Sequence, residues 1–179
     1  MRRIKLFDPI TDNCEKNAIN RVLESKFWAS GAGNGEVKKF EGKFLKYINS
    51  KSCVAVNSGT AALNLALSIY DIKNKEVILP SLSFVATANA IIENGGIPKF
   101  VDIDEKTLCI DPKKILNSIS NKTKIILPVH FGGFSSNLTE ITKICKKNKI
   151  NLIEDAAHSS GARYKNKKIG SHGDLVCFS

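Results

Sequence analysis

Short apolar runs alternate with amphipathic stretches along this chain, and each pair predicts a strand followed by a helix. The apolar runs are bounded by Gly, Pro, Asn and Ser, residues that favour turns. The predicted strands cover residues 53–56, 76–79, 99–102, 124–129, 151–154 and 174–178, and the helices that follow them cover 60–70, 84–93, 111–118 and 137–148. This order predicts an α/β fold with three layers, in which helices cover both faces of a mainly parallel central sheet.

The first fifty residues have a different pattern. Thr11 or Asp12 can cap a helix that ends near Ser25, and apolar residues recur at helical spacing between Val37 and Ile48. We therefore expect an N-terminal helical segment over residues 1–50 and a sheet-containing domain over residues 51–179.

Length and composition are those of a globular protein. The chain has 179 residues, of which 42% are hydrophobic, enough for one sizeable core. It has no apolar run of the roughly 20 residues that a membrane span needs, and its N-terminus does not resemble a signal peptide. Five scattered cysteines without a CxxC pair predict buried thiols in a reducing compartment, with neither disulfides nor a metal site. We expect a cytoplasmic protein.

The formal net charge of +10 favours anionic partners. Nucleic acid is the first class to consider. The basic residues are mostly lysines spread over predicted helix faces, whereas a surface that reads bases needs arginines and interleaved aromatic residues. The pattern therefore argues against nucleic-acid binding and leaves phosphorylated small molecules as the expected anions.

A polar turn follows the predicted strand 53–56 and opens an Ala- and Leu-rich helix. The turn contains Ser58, Gly59 and Thr60. Free N–H groups at a helix N-terminus, with nearby hydroxyls, form a site for phosphate. Ser and Thr are also ordinary N-caps. Both interpretations of this turn stay open on the sequence alone.

Three further residues follow predicted strands and should meet at the carboxyl edge of the sheet. Asp155 could pair with a protonated pyridine nitrogen, or could simply cap a helical turn. His158 could donate a hydrogen bond to a cofactor, or pack as an ordinary histidine. Phe84 could stack on a planar cofactor, although core packing is the usual role of a single Phe.

Together these motifs resemble the DegT/DnrJ/StrS family of sugar aminotransferases. The resemblance covers nearly the whole chain and is carried chiefly by residues 57–63 (NSGTAAL), 80–91 (PSLSFVATANAI) and 154–158 (EDAAH). It implies the large domain of a fold-type-I enzyme that depends on pyridoxal 5'-phosphate (PLP). It also implies a homodimer that transfers an amino group, typically from glutamate, to a nucleotide-linked keto-sugar used in polysaccharide biosynthesis.

The resemblance also implies roles for single residues. Ser58, Gly59, Thr60 and Ser179 match positions around the cofactor phosphate. Phe84 matches the aromatic residue stacked on the pyridine ring. Asp155 matches the carboxylate paired with the ring nitrogen, and His158 matches the residue beside the ring hydroxyl. No metal ligand is implied.

One feature of the family is missing from the sequence. The lysine that binds the cofactor covalently lies a few residues beyond the position of Ser179 in the family, and a C-terminal domain follows it. We therefore expect a truncated large domain that is inactive by itself. Two alternatives remain: a PLP-dependent sugar dehydratase, which has histidine at the lysine position, and a fragment that binds PLP or a partner chain without turnover.

Overall fold

The computed structural model of the chain describes residues 8–28 and 35–179. Two compact units are distinguished, Met1–Lys43 and Phe44–Ser179. Helix α1 (Asn13–Ser25) lies in the first unit, and helix α2 (Glu36–Ile48) begins there and ends in the second. Asp12, one of the two caps considered, begins α1, because its carboxylate accepts the Cys14 N–H while the Glu15 carboxylate accepts the Asp12 N–H.

The second unit follows the predicted alternation of helices and strands. Its helices are α3 (Gly59–Ser68), α4 (Val85–Glu93), α5 (Pro112–Ser118) and α6 (Leu138–Asn148), with a short 3₁₀ turn at Phe131–Gly133. Its strands are β1 (Glu76–Pro80), β2 (Ile97–Val101), β3 (Thr123–Ile126), β4 (Asn151–Asp155), β5 (Arg163–Tyr164), β6 (Lys167–Lys168) and β7 (Leu175–Cys177).

Five of these strands form one parallel sheet in the order β2-β1-β3-β4-β7. The remaining two, β5 and β6, form a small antiparallel hairpin. In the pairing of β4 with β7, Asp155 stands opposite Cys177. All five strands of the large sheet therefore end at the same edge, where the residues that follow them meet.

Side chains alternate between the two faces of the sheet. Val77 and Leu79 of β1 pack with α3 and α4, whereas Ile78 packs with α5 and α6. All three are fully buried. A strand covered on both faces needs apolar residues throughout, and this explains the continuous run in β1. The predicted three-layer arrangement is confirmed.

The strand predicted over residues 53–56 is wrong. The sheet of the described chain does not include this segment, and Val54 and Val56 are 70% and 40% exposed. An apolar run indicates an extended conformation, but a strand also requires a neighbour with which to pair, and pairing is not a local property of the sequence. The prediction for the cysteines is confirmed at Cys109, Cys145 and Cys177, which are buried, and wrong at Cys14, which is exposed.

Among the described helices, none has the length and apolar character that would let it cross a membrane.

Ile126 provides a test of the three-layer core. Its side chain is fully buried on the face of the sheet that packs against α5 and α6. We expect Ile126→Ala to lower the free energy of unfolding by about 2–5 kcal/mol, because the lost side chain leaves a cavity. Urea unfolding measures this change. Leu116→Ala on the exposed side of α5 is the control, with an expected change near 0.5 kcal/mol or below; similar losses for both would contradict the assigned layers.

Candidate functional site

Asp155 ends strand β4 at the carboxyl edge of the sheet and is only 4% exposed. Its carboxylate accepts a hydrogen bond from the Thr87 hydroxyl at 2.8 Å and another from the Ala157 N–H at 3.2 Å. Both donors are neutral. No cationic side chain forms an ion pair with Asp155 in the described part of the chain. The site therefore contains a buried acceptor suited to a cationic ligand.

Cys177 lies opposite Asp155 in the sheet. Burial, and to a lesser extent the nearby Asp155 carboxylate, raises the pKa of the Cys177 thiol to about 12. The thiol therefore stays protonated at neutral pH. Because the thiolate is the reactive form, Cys177 is not a nucleophile of this site.

A cavity of about 140 Å³ opens beside Asp155. Phe84 and His158 line it together with Asp155, so the structure brings Phe84 together with two residues that are far from it in the sequence. Phe84 precedes α4 and is 71% exposed, which leaves a ring face open to a ligand. The remaining lining residues are Ser83, Val129, Phe131 and Ala157. The cavity thus combines an aromatic surface with one buried charge.

The ring of His158 is held by the short turn that follows Val129. The Gly132 N–H donates a hydrogen bond to His158 Nδ1 at 3.2 Å. The Phe131 ring meets the imidazole edge to face, with centroids 5.9 Å apart. His158 is exposed and lines the cavity, so its other ring nitrogen is available to a ligand.

The polar turn before α3 serves as a helix cap and leaves donors free. Ser58 is the N-cap, and its hydroxyl oxygen accepts the Ala61 N–H at 3.1 Å. The N–H groups of Gly59 and Thr60, the first two residues of α3, have no acceptor within the helix. The capping interpretation of Ser58 is therefore correct, and it remains compatible with an anion at the two free N–H groups.

Ser179 lies directly against this turn. A Cβ atom at Gly59 would stand 2.8 Å from the Ser179 Cβ and 3.0 Å from its Oγ. Only glycine permits this approach, because those distances are shorter than real contacts of a Cβ atom. Only Phe178 separates Ser179 from Cys177, the residue opposite Asp155 in the sheet. The turn and the Asp155 cavity therefore lie at the same edge of the sheet.

Sequence reasoning missed several residues of the site. Thr87 is a fully buried polar residue in a helix that is otherwise largely apolar. A threonine among apolar helix residues is the one local feature of the sequence that could have indicated it. Phe131 and Gly132 belong to a turn whose contacts are made across the fold. Glu154 and His130 form a buried pair, with Nε2 and Oε2 separated by 2.8 Å. Nothing local in the sequence indicates that these last two residues meet.

A second, larger cavity of about 520 Å³ lies on the other side of the same turn. Gly133, Phe134 and Ser135 line it, together with Arg163 and Tyr164 of the β5–β6 hairpin. The turn between β3 and α6 therefore borders both cavities, with Phe131 at the smaller one. In the described residues, no group of His, Cys, Asp and Glu side chains is arranged to hold a metal ion.

The sequence of this chain is similar to those of one family of aminotransferases. Residues 9–179 match the DegT/DnrJ/EryC1/StrS aminotransferase family. The chain is 41% identical over 172 residues to the spore coat polysaccharide biosynthesis protein SpsC of Bacillus subtilis, covering 96% of this chain and 43% of that protein. It is 43% identical over 165 residues to dTDP-3-amino-3,6-dideoxy-alpha-D-galactopyranose transaminase of Aneurinibacillus thermoaerophilus, covering 92% and 45% of the two chains. The chain spans a little less than half the length of these curated relatives.

The fold of this chain is also similar to solved structures. The fold superimposes on 3-amino-5-hydroxybenzoic acid synthase with a TM-score of 0.92 at 33% identity, over 96% of this chain and 44% of the other. It superimposes on GDP-4-keto-6-deoxy-D-mannose-3-dehydratase of E. coli with bound hydrated PLP, with a TM-score of 0.87 at 35% identity, over 97% and 46% of the two chains. The fold is that of the large domain of fold-type-I PLP-dependent enzymes.

The hydrogen bond between Thr87 and Asp155 provides a test of the site's geometry. We expect Thr87→Val and Asp155→Ala to be non-additive, with a coupling free energy of about 1.5–3 kcal/mol, as for a buried hydrogen bond to a charged group. A double-mutant cycle from urea unfolding measures it. The control combines Thr123→Val with Asp155→Ala. These two changes should be additive, because the Thr123 hydroxyl contacts Glu76 at the amino end of the sheet. If the Thr87 and Asp155 changes were additive as well, the assigned bond would be wrong.

Proposed function

Because the chain belongs to the DegT/DnrJ/EryC1/StrS aminotransferase family, whose cofactor is PLP, we propose that the protein transfers an amino group from glutamate to a nucleotide-linked keto-sugar. One observation carries the proposal. The cavity places the buried Asp155 carboxylate, which has no cationic partner among the described residues, beside the open ring of Phe84.

The chemical groups of the site residues are suited to binding PLP. A protonated pyridine nitrogen supplies the cation that Asp155 lacks, and the Phe84 ring offers a face for stacking. The N–H groups of Gly59 and Thr60 suit a phosphate, with the hydroxyls of Ser58, Thr60 and Ser179 as further donors. Asp155 would therefore hold the ring nitrogen, Phe84 the ring face, and this turn the phosphate.

Each residue then has a definite task. Bound PLP supplies an electron-withdrawing ring for chemistry at the carbon next to the transferred nitrogen. Asp155 keeps the proton on the ring nitrogen, and Thr87 and Ala157 keep the carboxylate in place. His158 donates toward the edge of the ring, and Phe84 excludes water from one face. We assign Asp155 and His158 to catalysis and the other residues to cofactor binding.

The substrate class rests on the relatives and on charge. One curated relative is a transaminase of a dTDP-linked sugar, and another acts in spore coat polysaccharide biosynthesis according to its name. The net charge of +10 suits a nucleoside diphosphate. We propose a homodimer in the cytoplasm as the functional form, with the amino sugar used in polysaccharide biosynthesis.

Covalent attachment of the cofactor needs a lysine. No lysine lines the Asp155 cavity in the part of the chain that the structure describes. We therefore propose that these 179 residues bind PLP without a covalent bond and do not complete amino transfer by themselves. A sugar dehydratase is the second candidate, because the solved E. coli dehydratase, at 35% identity, is about as similar to this chain as a solved aminotransferase at 34% identity.

Binding of PLP to the 179-residue chain tests the role of Asp155. We expect Asp155→Asn to weaken the affinity about tenfold or more, since a neutral amide cannot replace the carboxylate opposite a protonated ring nitrogen. Titration by ligand absorbance gives the affinity, and urea unfolding of the same samples checks the fold. The control is Asp102→Asn, because the Asp102 side chain is 72% exposed and pairs with Lys114. Equal affinities for wild type and Asp155→Asn would remove Asp155 from the cofactor site.

Activity is tested with the whole natural polypeptide that carries these 179 residues. Given glutamate, PLP and a panel of nucleotide-linked keto-sugars, we expect one amino sugar, detected by mass spectrometry, and an equal amount of 2-oxoglutarate. A product that has lost water and gained no nitrogen would identify a dehydratase. Binding of PLP without turnover of any sugar would contradict both enzymatic candidates.

A further inference from the structure

Behind the Asp155 cavity, the side chains of His130 and Glu154 form a pair with no solvent exposure. His130 Nε2 and Glu154 Oε2 lie 2.8 Å apart. Glu154 precedes Asp155 in β4, so the two carboxylates point to opposite faces of the sheet. The pair therefore stands outside the cavity, and none of the tasks assigned above uses it.

The hydrogen bonds fix the protons on the His130 ring. The Ser136 N–H donates to His130 Nδ1 at 3.0 Å, so Nδ1 is an acceptor and carries no proton. An imidazole always keeps at least one N–H, which must then be on Nε2. His130 is therefore neutral, and Nε2–H donates to Glu154. This assignment holds whether or not the other oxygen of Glu154 is protonated.

His130 holds both ends of the turn that borders the cavity. At one end its main chain is anchored, because the His130 N–H donates to the Asp155 carbonyl at 3.0 Å. At the other end its ring accepts the Ser136 N–H. Between these points the turn presents the Gly132 N–H to His158. Glu154 thus fixes His130, and His130 fixes the turn.

A backbone N–H likewise determines which nitrogen of His158 carries the proton. Its Nδ1 accepts the Gly132 N–H, so the neutral ring carries its proton on Nε2. Nε2–H is then the group that His158 offers to a ligand in the cavity. If the turn moved, Nδ1 would lose its donor and the ring could adopt either tautomer.

We infer that Glu154 and His130 are positioning residues, which hold the turn at residues 131–136 so that His158 presents Nε2–H to the cofactor. The inference rests on the proposed function only in naming PLP as that ligand. Gly173 leaves room for the carboxylate, because a Cβ atom there would lie 2.6 Å from Glu154 Oε1. Two variants therefore disturb the pair by different means: Glu154→Leu removes the acceptor, and Gly173→Ala displaces it.

Nuclear magnetic resonance of the ligand-free chain tests the inference directly. The chain has three histidines, so two-bond ¹H–¹⁵N spectra of ¹⁵N-histidine samples are simple to assign with single His→Gln variants. In the wild type we expect His130 and His158 both to carry the proton on Nε2. A wild-type His158 with its proton on Nδ1, or on both nitrogens at neutral pH, would overturn the inference without any variant.

The variants separate positioning from folding. We expect Glu154→Leu and Gly173→Ala to give a mixture of tautomers at His158, and Glu154→Gln to restore the wild-type pattern, because the amide oxygen still accepts Nε2–H of His130. His172 serves as the internal reference for an intact fold, since its ring packs against Tyr164. An unchanged His158 spectrum in a folded Glu154→Leu or Gly173→Ala chain would refute the positioning role.

Adding PLP gives a second measurement. The chemical shift of His158 Nε2 should change when PLP binds to the wild type and to Glu154→Gln. The affinity for PLP should fall about tenfold in Glu154→Leu, as expected for the loss of one hydrogen bond from His158 to the ring oxygen of PLP. If PLP fails to bind the wild type, the proposed cofactor site is wrong, whereas the tautomer result of the ligand-free chain still decides the role of Glu154.

Discussion

The Asp155 carboxyl group, buried at the end of β4 and hydrogen-bonded to the neutral donors Thr87 and Ala157, is the constraint on which the proposed site depends. Burying a carboxylate costs several kcal/mol, and two hydrogen bonds from neutral groups offset only part of that cost. A cation in the cavity, such as the protonated ring nitrogen of the proposed cofactor, would offset more of it. The same need for a donor accounts for the buried Thr87 in the apolar helix α4, because its hydroxyl donates to this carboxyl group.

Strand β4 uses its two faces for two purposes. Ile153 and Asp155 face α3 and α4, while Leu152 and Glu154 face the other helical layer. Two consecutive acids therefore have separate surroundings, one beside an open cavity and one enclosed with His130. The period of two residues in a strand gives adjacent carboxyl groups different partners, as the proposed roles of Asp155 in binding and Glu154 in support require.

The local pattern was sufficient to predict most of the fold. Helix α5 begins where Asp111-Pro112 predicted. Asp155, Phe84 and His158 share a cavity because Asp155 ends a strand, and the other two residues follow strands, at the same edge of the sheet. Prediction failed where a feature needed a distant partner. Residues 53–56 look like a strand but lie outside the sheet, and the His130–Glu154 pair joins two segments that the sequence does not connect. Ser58 shows a third case, since one residue can cap a helix and still leave an anion site beside it.

The close approach of Gly59 and Ser179 links the binding of a ligand to the pairing of an edge strand. Ser179 stands against Gly59 two residues after the last residue of β7 that is paired with β4. A ligand that contacts both residues favours the paired form, and one that binds only that form stabilises the pairing by about 2.7 kcal/mol at a hundred times its dissociation constant. For such a ligand, occupancy of this turn and the pairing of β7 with β4 form a single coupled equilibrium, in which each strengthens the other.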